Sequence, residues 1–231
     1  MIHGDADNRL VRTFRPRRRR LGVEMREVYE RIGGDWSLDE VGPTLDLAEE
    51  FGRDGHRVLE IGCGRGDLVC DHSVRFPDRD IVAVDVHTRG IANILRTVDE
   101  HGLANVRVVE GDALVFLDRL PDSAFDEVWF FFPDPWPKAR QRSRRIVRDD
   151  VLHRVARIVG TGGVVRVATD VDEYARHMRG VLGASRYFGE CVEGRPDWRI
   201  ETVFERRGRE AGRASTDLHV VRNSETWRNP S

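Results

Sequence analysis

Five short apolar segments recur along the middle of the chain, and each runs into a carboxylate: 57–61 (RVLEI), 80–85 (DIVAVD), 106–110 (VRVVE), 125–132 (FDEVWFFF) and 163–168 (GVVRVA). Near-continuous apolar runs of this length suit strands buried on both faces. Between them the apolar spacing becomes helical, over 68–76, 88–101, about 144–159 and 171–182. Strands and helices in alternation predict an α/β fold with a parallel sheet and helices on both faces. Helices are also expected over 23–32 and 43–51, the second with Pro43 in its first turn, and two further strands near 199–204 and 218–221. There is no repeat and no internal linker. Residues 1–22 lack apolar periodicity and read as a flexible basic arm, leaving 23–231 as one domain.

In such a sheet, ligands bind beyond the carboxyl ends of the strands. Glu60, Asp85, Asp112, Asp134 and Asp170 all fall there. One carboxylate in that place is ordinary, whereas five on one rim suggest a site. The first strand continues into a glycine turn, LEIGCGRGD at 59–67, which opens a helix. Gly62, Gly64 and Gly66 let a ligand approach the backbone. The dinucleotide fingerprint would want glycine where Asp67 stands, and that carboxylate would repel a pyrophosphate. A cationic or neutral ligand is favoured over NAD; an ordinary βα turn is the bland alternative. Asp85, at the end of the second strand, is placed to accept from two ribose hydroxyls. Asp112 and Ala113 could read an adenine amino group, or Asp112 could simply cap a helix.

Charge narrows the partners. The formal net charge is −2, yet the cations are clustered: Arg9 to Arg20, Lys138 to Arg148, and Arg206 to Arg213. Local charge sets a phosphate-binding surface, so a near-neutral total does not exclude nucleic acid. Of 38 basic residues only Lys138 is lysine. Three unpaired-looking cysteines argue against a disulfide framework and fit a reducing cytoplasm. No apolar run is long enough to span a membrane, and no histidine spacing suits a metal.

The acidic residue, glycine turn and second- and third-strand aspartates resemble class I S-adenosylmethionine-dependent methyltransferases over about 55–170. The stretch FFPDPWPKARQRSRRIV at 131–147 is more specific. With RTFRPR at 12–17, RVATD at 166–170 and ETVFERRGR at 201–209, it closely resembles the bacterial tRNA (guanine-N7-)-methyltransferase family over about 12–221. The resemblance implies a Rossmann-like, mostly parallel seven-stranded sheet, and transfer of a methyl group from S-adenosylmethionine to N7 of a variable-loop guanine, usually position 46. It implies S-adenosylhomocysteine as the product, no metal, a tRNA partner and a cytoplasmic site of action. It places Glu60, Gly62, Gly64, Asp85, Asp112, Ala113 and Asp134 at the donor, with Asp134 also catalytic. Lys138, Asp170, Thr202, Val203, Phe204 and Glu205 would contact substrate, and Arg140, Arg142, Arg144 and Arg145 would lie in an RNA-interacting stretch. The chain departs from the family at Asp85 (usually Glu), at HTRG over 87–90 (often with proline before the glycine) and at Val203 (commonly Lys).

N7 of guanine carries a lone pair at neutral pH, so the chemistry asks for alignment and electrostatics rather than a base. Asp134 could stabilise the positive charge developing on the purine; its bland alternative is a turn former in P-D-P. Trp136 is open between stacking on a base and packing on the prolines, and Glu205 between guanine and a pair with Arg206 or Arg207. An exocyclic-amine methyltransferase would place two prolines before the aromatic, where this chain has Asp134-Pro135-Trp136.

Overall fold

The computed structural model describes residue 13 and residues 21–224. All but Thr13, Leu21 and Gly22 of the expected basic arm lies outside the described residues. In chain order the elements are α1 (Val23–Trp36), α2 (Leu47–Phe51), β1 (His56–Ile61), α3 (Asp67–Arg75), β2 (Arg79–Asp85), α4 (Thr88–His101), β3 (Val106–Glu110), α5 (Ala113–Phe116) and β4 (Phe125–Phe131). A 3-10 segment (Ala139–Arg144) then leads to α6 (Asp149–Ile158), β5 (Val159–Thr169), α7 (Asp172–Ala184), β6 (Val192–Glu193), α8 (Val203–Glu210) and β7 (Thr216–Val221).

The strands form one seven-stranded sheet in the order β3-β2-β1-β4-β5-β7-β6. Pairings from β3 through β5 are parallel, and β7 runs antiparallel to both β5 and β6. Alternate strand residues feed two separate cores. Val58, Ile81, Ala83, Val106, Val108, Trp129 and Phe131 pack with Ile32 of α1, Leu68 of α3 and Ile91, Ile94 and Leu95 of α4. Leu59, Val82, Val84, Val128, Phe130, Val165 and Val167 pack with Leu47, Phe116, Leu152, Tyr174 and Met178 on the opposite face. This is the two-sided burial that the apolar strands anticipated.

Local chemistry moves three of the expected boundaries. Asp46 accepts from the N–H groups of Ala48 and Glu49, so α2 starts at Leu47 and Pro43 lies outside it. The helix expected from about residue 144 starts at Asp149, where Asp149 and Asp150 occupy the first turn. No strand forms over 199–204. Thr202 instead caps α8, its Oγ1 accepting from Glu205 N–H at 3.2 Å.

The strand order reverses direction between β1 and β4. Two parallel neighbours whose following helices leave to opposite faces open a crevice at their carboxyl ends. The glycine turn after β1 and the proline-rich turn after β4 flank that crevice.

Candidate active site

A cleft of about 510 Å³ fills this crevice. Its lining includes Glu60, Gly62, Gly64, Asp67, Asp85, Asp112, Ala113, Asp134, Thr202 and Phe204, so β1, β2, β3, β4 and the start of α8 converge on it. Asp170 is not in this lining. It borders a neighbouring cavity of about 570 Å³, where Arg213 Nε lies 2.8 Å from its Oδ2.

The floor of the cleft depends on two close approaches. Gly66 has φ +76°, and a Cβ there would fall 2.4 Å from Ile94 Cγ1. A Cβ on Gly90 would fall 1.8 Å from the carbonyl oxygen of Gly64. Only glycines let α4 press against the turn this tightly. Asp85 then ties the turn down: Gly64 N–H donates to its Oδ2 at 2.7 Å, and His87 N–H to its Oδ1 at 2.9 Å. The His87 ring Nδ1 is 2.6 Å from the same Oδ1.

Glu60 has the most unusual surroundings in the cleft. It is buried, and its Oε2 has no hydrogen-bond partner among the described residues. Burial, and then the nearby charges of Asp85 and Asp67, push its pKa up to about 8. A buried carboxyl with an unused oxygen, beside further acids, is fitted to a cationic ligand. Asp112 serves as the N-cap of α5, accepting from Leu114 N–H at 2.9 Å, while its own N–H donates to Glu40 Oε2. That capping role accounts for one side-chain oxygen and leaves Asp112 on the cleft wall.

The turn after β4 holds Asp134 exposed on the cleft wall. Trp136 packs inward. It is 2 % exposed, donates Nε1–H to the Thr13 carbonyl at 3.0 Å, and carries the Arg144 guanidinium 3.8 Å above its ring. Of the two openings left by the sequence, stacking on a base and packing on the prolines, the buried ring takes neither as stated: its contacts include the Thr13 carbonyl and the Arg144 guanidinium. Lys138 and Arg140 are exposed on the outside of the turn and do not line the cleft.

Two residues read from the sequence as RNA or substrate contacts are internal. Arg145 is 1 % exposed and pairs with Glu173, whose carboxylate also lies 3.3 Å from Arg142. Glu205 is 4 % exposed and meets Arg199 and Arg195 rather than Arg206 or Arg207. Burial works against ionising Glu205, but the hydrogen bonds and charge of Arg199, joined by Arg195, hold its pKa below the ordinary value. Arg199 is itself fully buried, pairs with Asp217 at the start of β7, and lies 5.4 and 5.5 Å from the Phe131 and Phe132 rings. No local spacing could have announced it, because its partners are six and eighteen residues away. Val203 and Phe204 are on the first turn of α8, and Phe204 packs on Gly64. In the third basic cluster Arg206 and Arg209 pair with Glu201, and Arg213 with Asp170. Arg207 lines the cleft and has no ion pair among the described residues.

Comparison with known proteins speaks to the family and the fold. A family model described as a putative methyltransferase matches residues 54–218. A protein of Streptomyces avermitilis named tRNA (guanine-N(7)-)-methyltransferase is 39% identical over 221 residues, spanning 93% of this chain and 76% of its own. Proteins of the same name from Marinobacter nauticus (36% identical; 93% of this chain, 92% of theirs) and Leifsonia xyli (39%; 90% and 93%) match similarly. Among solved structures, the 16S rRNA methyltransferase KamB superposes with a TM-score of 0.58 at 18% identity, over 79% of this chain and 96% of its own. An antibiotic-related methyltransferase does so at 0.55 and 17%, over 78% and 96%. These structural likenesses speak to the fold.

Proposed function

The chain belongs to the bacterial tRNA (guanine-N(7)-)-methyltransferase family, and on that premise we propose that it methylates N7 of guanine 46 in the tRNA variable loop, using S-adenosylmethionine and releasing S-adenosylhomocysteine. The observation that carries this reading is the acidic cleft at the sheet's point of reversal, with Asp134 on its wall and the buried, unsatisfied Glu60 beneath. No helix among the described residues is long and apolar enough to cross a membrane, and the cytoplasm, where tRNA is processed, is the proposed site of action.

The donor supplies an electrophilic methyl group on a sulfonium. The residues of the chain provide the rest. Glu60, Asp67 and Asp85 offer negative charge to a cationic molecule, and the glycine turn offers backbone close to it. Asp85 retains acceptor capacity for ribose hydroxyls beyond its bonds to Gly64 and His87. Guanine N7 needs no base. Asp134, on the wall, accepts from the base edge and stabilises the positive charge that grows on the purine as N7 is alkylated. Thr202 and Phe204 line the same cleft from α8 and orient the base. Lys138 and Arg140, exposed beside the turn, hold RNA phosphates.

The test uses labelled S-adenosylmethionine with an unmodified tRNA transcript and one in which guanine 46 is replaced. Labelling of the first transcript alone, with chemical cleavage at the 7-methylguanine, is expected. Equal labelling of both overturns the site of methylation. Asp134→Ala should abolish transfer while tRNA binding persists; an equal fall in binding would make Asp134 an RNA contact.

A further inference from the structure

The turn that carries Asp134 is held in a conformation it would not keep alone. Phe132 and Trp136, two residues to either side of Asp134, have φ of 52° and 41°. Bulky side chains leave this left-handed region unless the surroundings over-determine it, and such positions gather at functional sites. Among the described residues, three hydrogen bonds tie it to its surroundings. Phe132 N–H donates to the Ala168 carbonyl at 2.8 Å, and Trp136 Nε1–H to the Thr13 carbonyl at 3.0 Å. The third comes from Arg145, whose Nε–H donates to the carbonyl of Pro135, the residue next to Asp134, at 2.9 Å.

Arg145 is anchored from behind. Its Nη1 and Nη2 engage both oxygens of Glu173 in the first turn of α7, and its guanidinium lies 4.8 Å from the Tyr174 ring. The same helix grips the adjoining chain: Val147 N–H donates to Tyr174 Oη at 3.4 Å, and His177 Nε2 is 2.9 Å from the Val147 carbonyl. One face of α7 is thereby joined, through a planar fork of donors, to the backbone beside Asp134. A lysine could not serve, since one ammonium cannot reach the Pro135 carbonyl and both Glu173 oxygens in this planar arrangement.

We propose that Arg145 is a positioning residue for the Asp134 turn and not an RNA contact. It transmits the rigidity of α7 to the strained turn and keeps Asp134 directed into the cleft. The catalytic part of this inference rests on the proposed role of Asp134; the mechanical part does not.

The chain carries its own reporter. Lys138, in the same turn, is its single lysine and is exposed. Lysyl endopeptidase under native conditions therefore cuts only after Lys138, at a rate set by how often the turn opens. Arg145→Gln and Glu173→Gln should each speed this cut about tenfold or more, at a temperature where circular dichroism finds both variants fully folded. In methyl transfer, kcat should fall by about 10- to 100-fold, as expected for a slightly misplaced group. Donor affinity and the slope of log tRNA affinity against log salt should stay as in the wild type. The two readings of Arg145 give opposite signs for Glu173→Gln: a brace is weakened by it, whereas an RNA contact is freed by it and binds tRNA more tightly. Unchanged cutting, or a salt slope about 0.7–0.9 shallower in Arg145→Gln, would overturn the proposal. Should Arg145→Gln fail to fold, Glu173→Gln alone decides, because it leaves shape intact at a half-exposed position. Faster cutting in the variants of a protein that methylates no tRNA would uphold the brace and reject the proposed function.

Discussion

Glu60 makes donor binding a proton-linked event. Burial, and then the charges of Asp85 and Asp67, disfavour its ionised form and push its pKa up to about 8 in the free protein. A cationic donor favours that form and returns the group toward its ordinary value of 4.5. Apparent affinity then follows the ionised fraction of the free site, about 1 in 100 at pH 6 and about 1 in 11 at pH 7. Affinity should therefore rise about ninefold over that interval, with nearly one proton released per donor bound. This window stays below the titration of an α-amino group, about 8. Calorimetry of S-adenosylmethionine binding at both pH values, in buffers of different ionisation enthalpy, measures affinity and proton count together. Glu60→Gln should flatten the profile and remove the proton. The free protein gives a second reading of the same group. A carboxyl raised on folding stabilises the protein below its unfolded pKa, and that contribution is lost as pH climbs through the folded one. Wild-type stability relative to Glu60→Gln should thus fall between pH 4.5 and about 8. The fall is on the order of 5 kcal/mol at most, at 1.36 kcal/mol per pKa step. A flat wild-type binding profile, or an equal slope in Glu60→Gln, would refute the linkage.

Two further outcomes concern single arginines. Arg199→Met leaves Asp217 buried without its cation and Glu205 with Arg195 alone, and urea denaturation should show a loss of about 3–5 kcal/mol; a loss below about 1 kcal/mol would mean the network contributes little. Arg207→Gln should weaken tRNA binding and make its salt slope shallower by about 0.7–0.9, one phosphate contact, in filter-binding titrations. An unchanged slope would remove Arg207 from the RNA surface.

The sheet was legible because its strands announce themselves twice, by apolar runs and by the carboxylates at their ends. Val106–Glu110 and Thr88–His101 fall where the pattern puts them. The misreadings have two causes, local caps that override the apolar pattern and side-chain partners supplied from elsewhere in the chain. Ile200, Thr202 and Phe204 alternate as a strand would, but Thr202 three residues before Glu205 is also a helix-capping pattern, and the cap prevailed. Glu205 completes only half of that pattern, since its carboxylate turns to Arg199. The four rim carboxylates in the cleft could be found from strand ends alone, whereas Asp170 follows β5, one strand further out, into the next cavity. Arginine composition could not separate a guanidinium that faces solvent from one that braces a turn. Arg140 and Arg145 are five residues apart and identical in type, and only tertiary partners distinguish them.

The two ends of the sheet are finished differently, and this bears on how the protein can be shortened. At one end Ser37 bridges to Val108, and Leu38 N–H donates to the Val108 carbonyl, so the chain leaving α1 covers the rim of β3. At the other end β6 is only two residues long. A brief terminal strand offers little for another molecule to pair with, but an uncovered β3 would offer a full ladder. A trimmed version that begins at the first strand would keep every cleft carboxylate and still be prone to clump edge to edge. A cut ahead of Val23 would keep α1 and its exit segment as the sheet's own guard against self-association but would lose the Thr13 carbonyl that holds Trp136, so the cut that spares both lies ahead of Thr13.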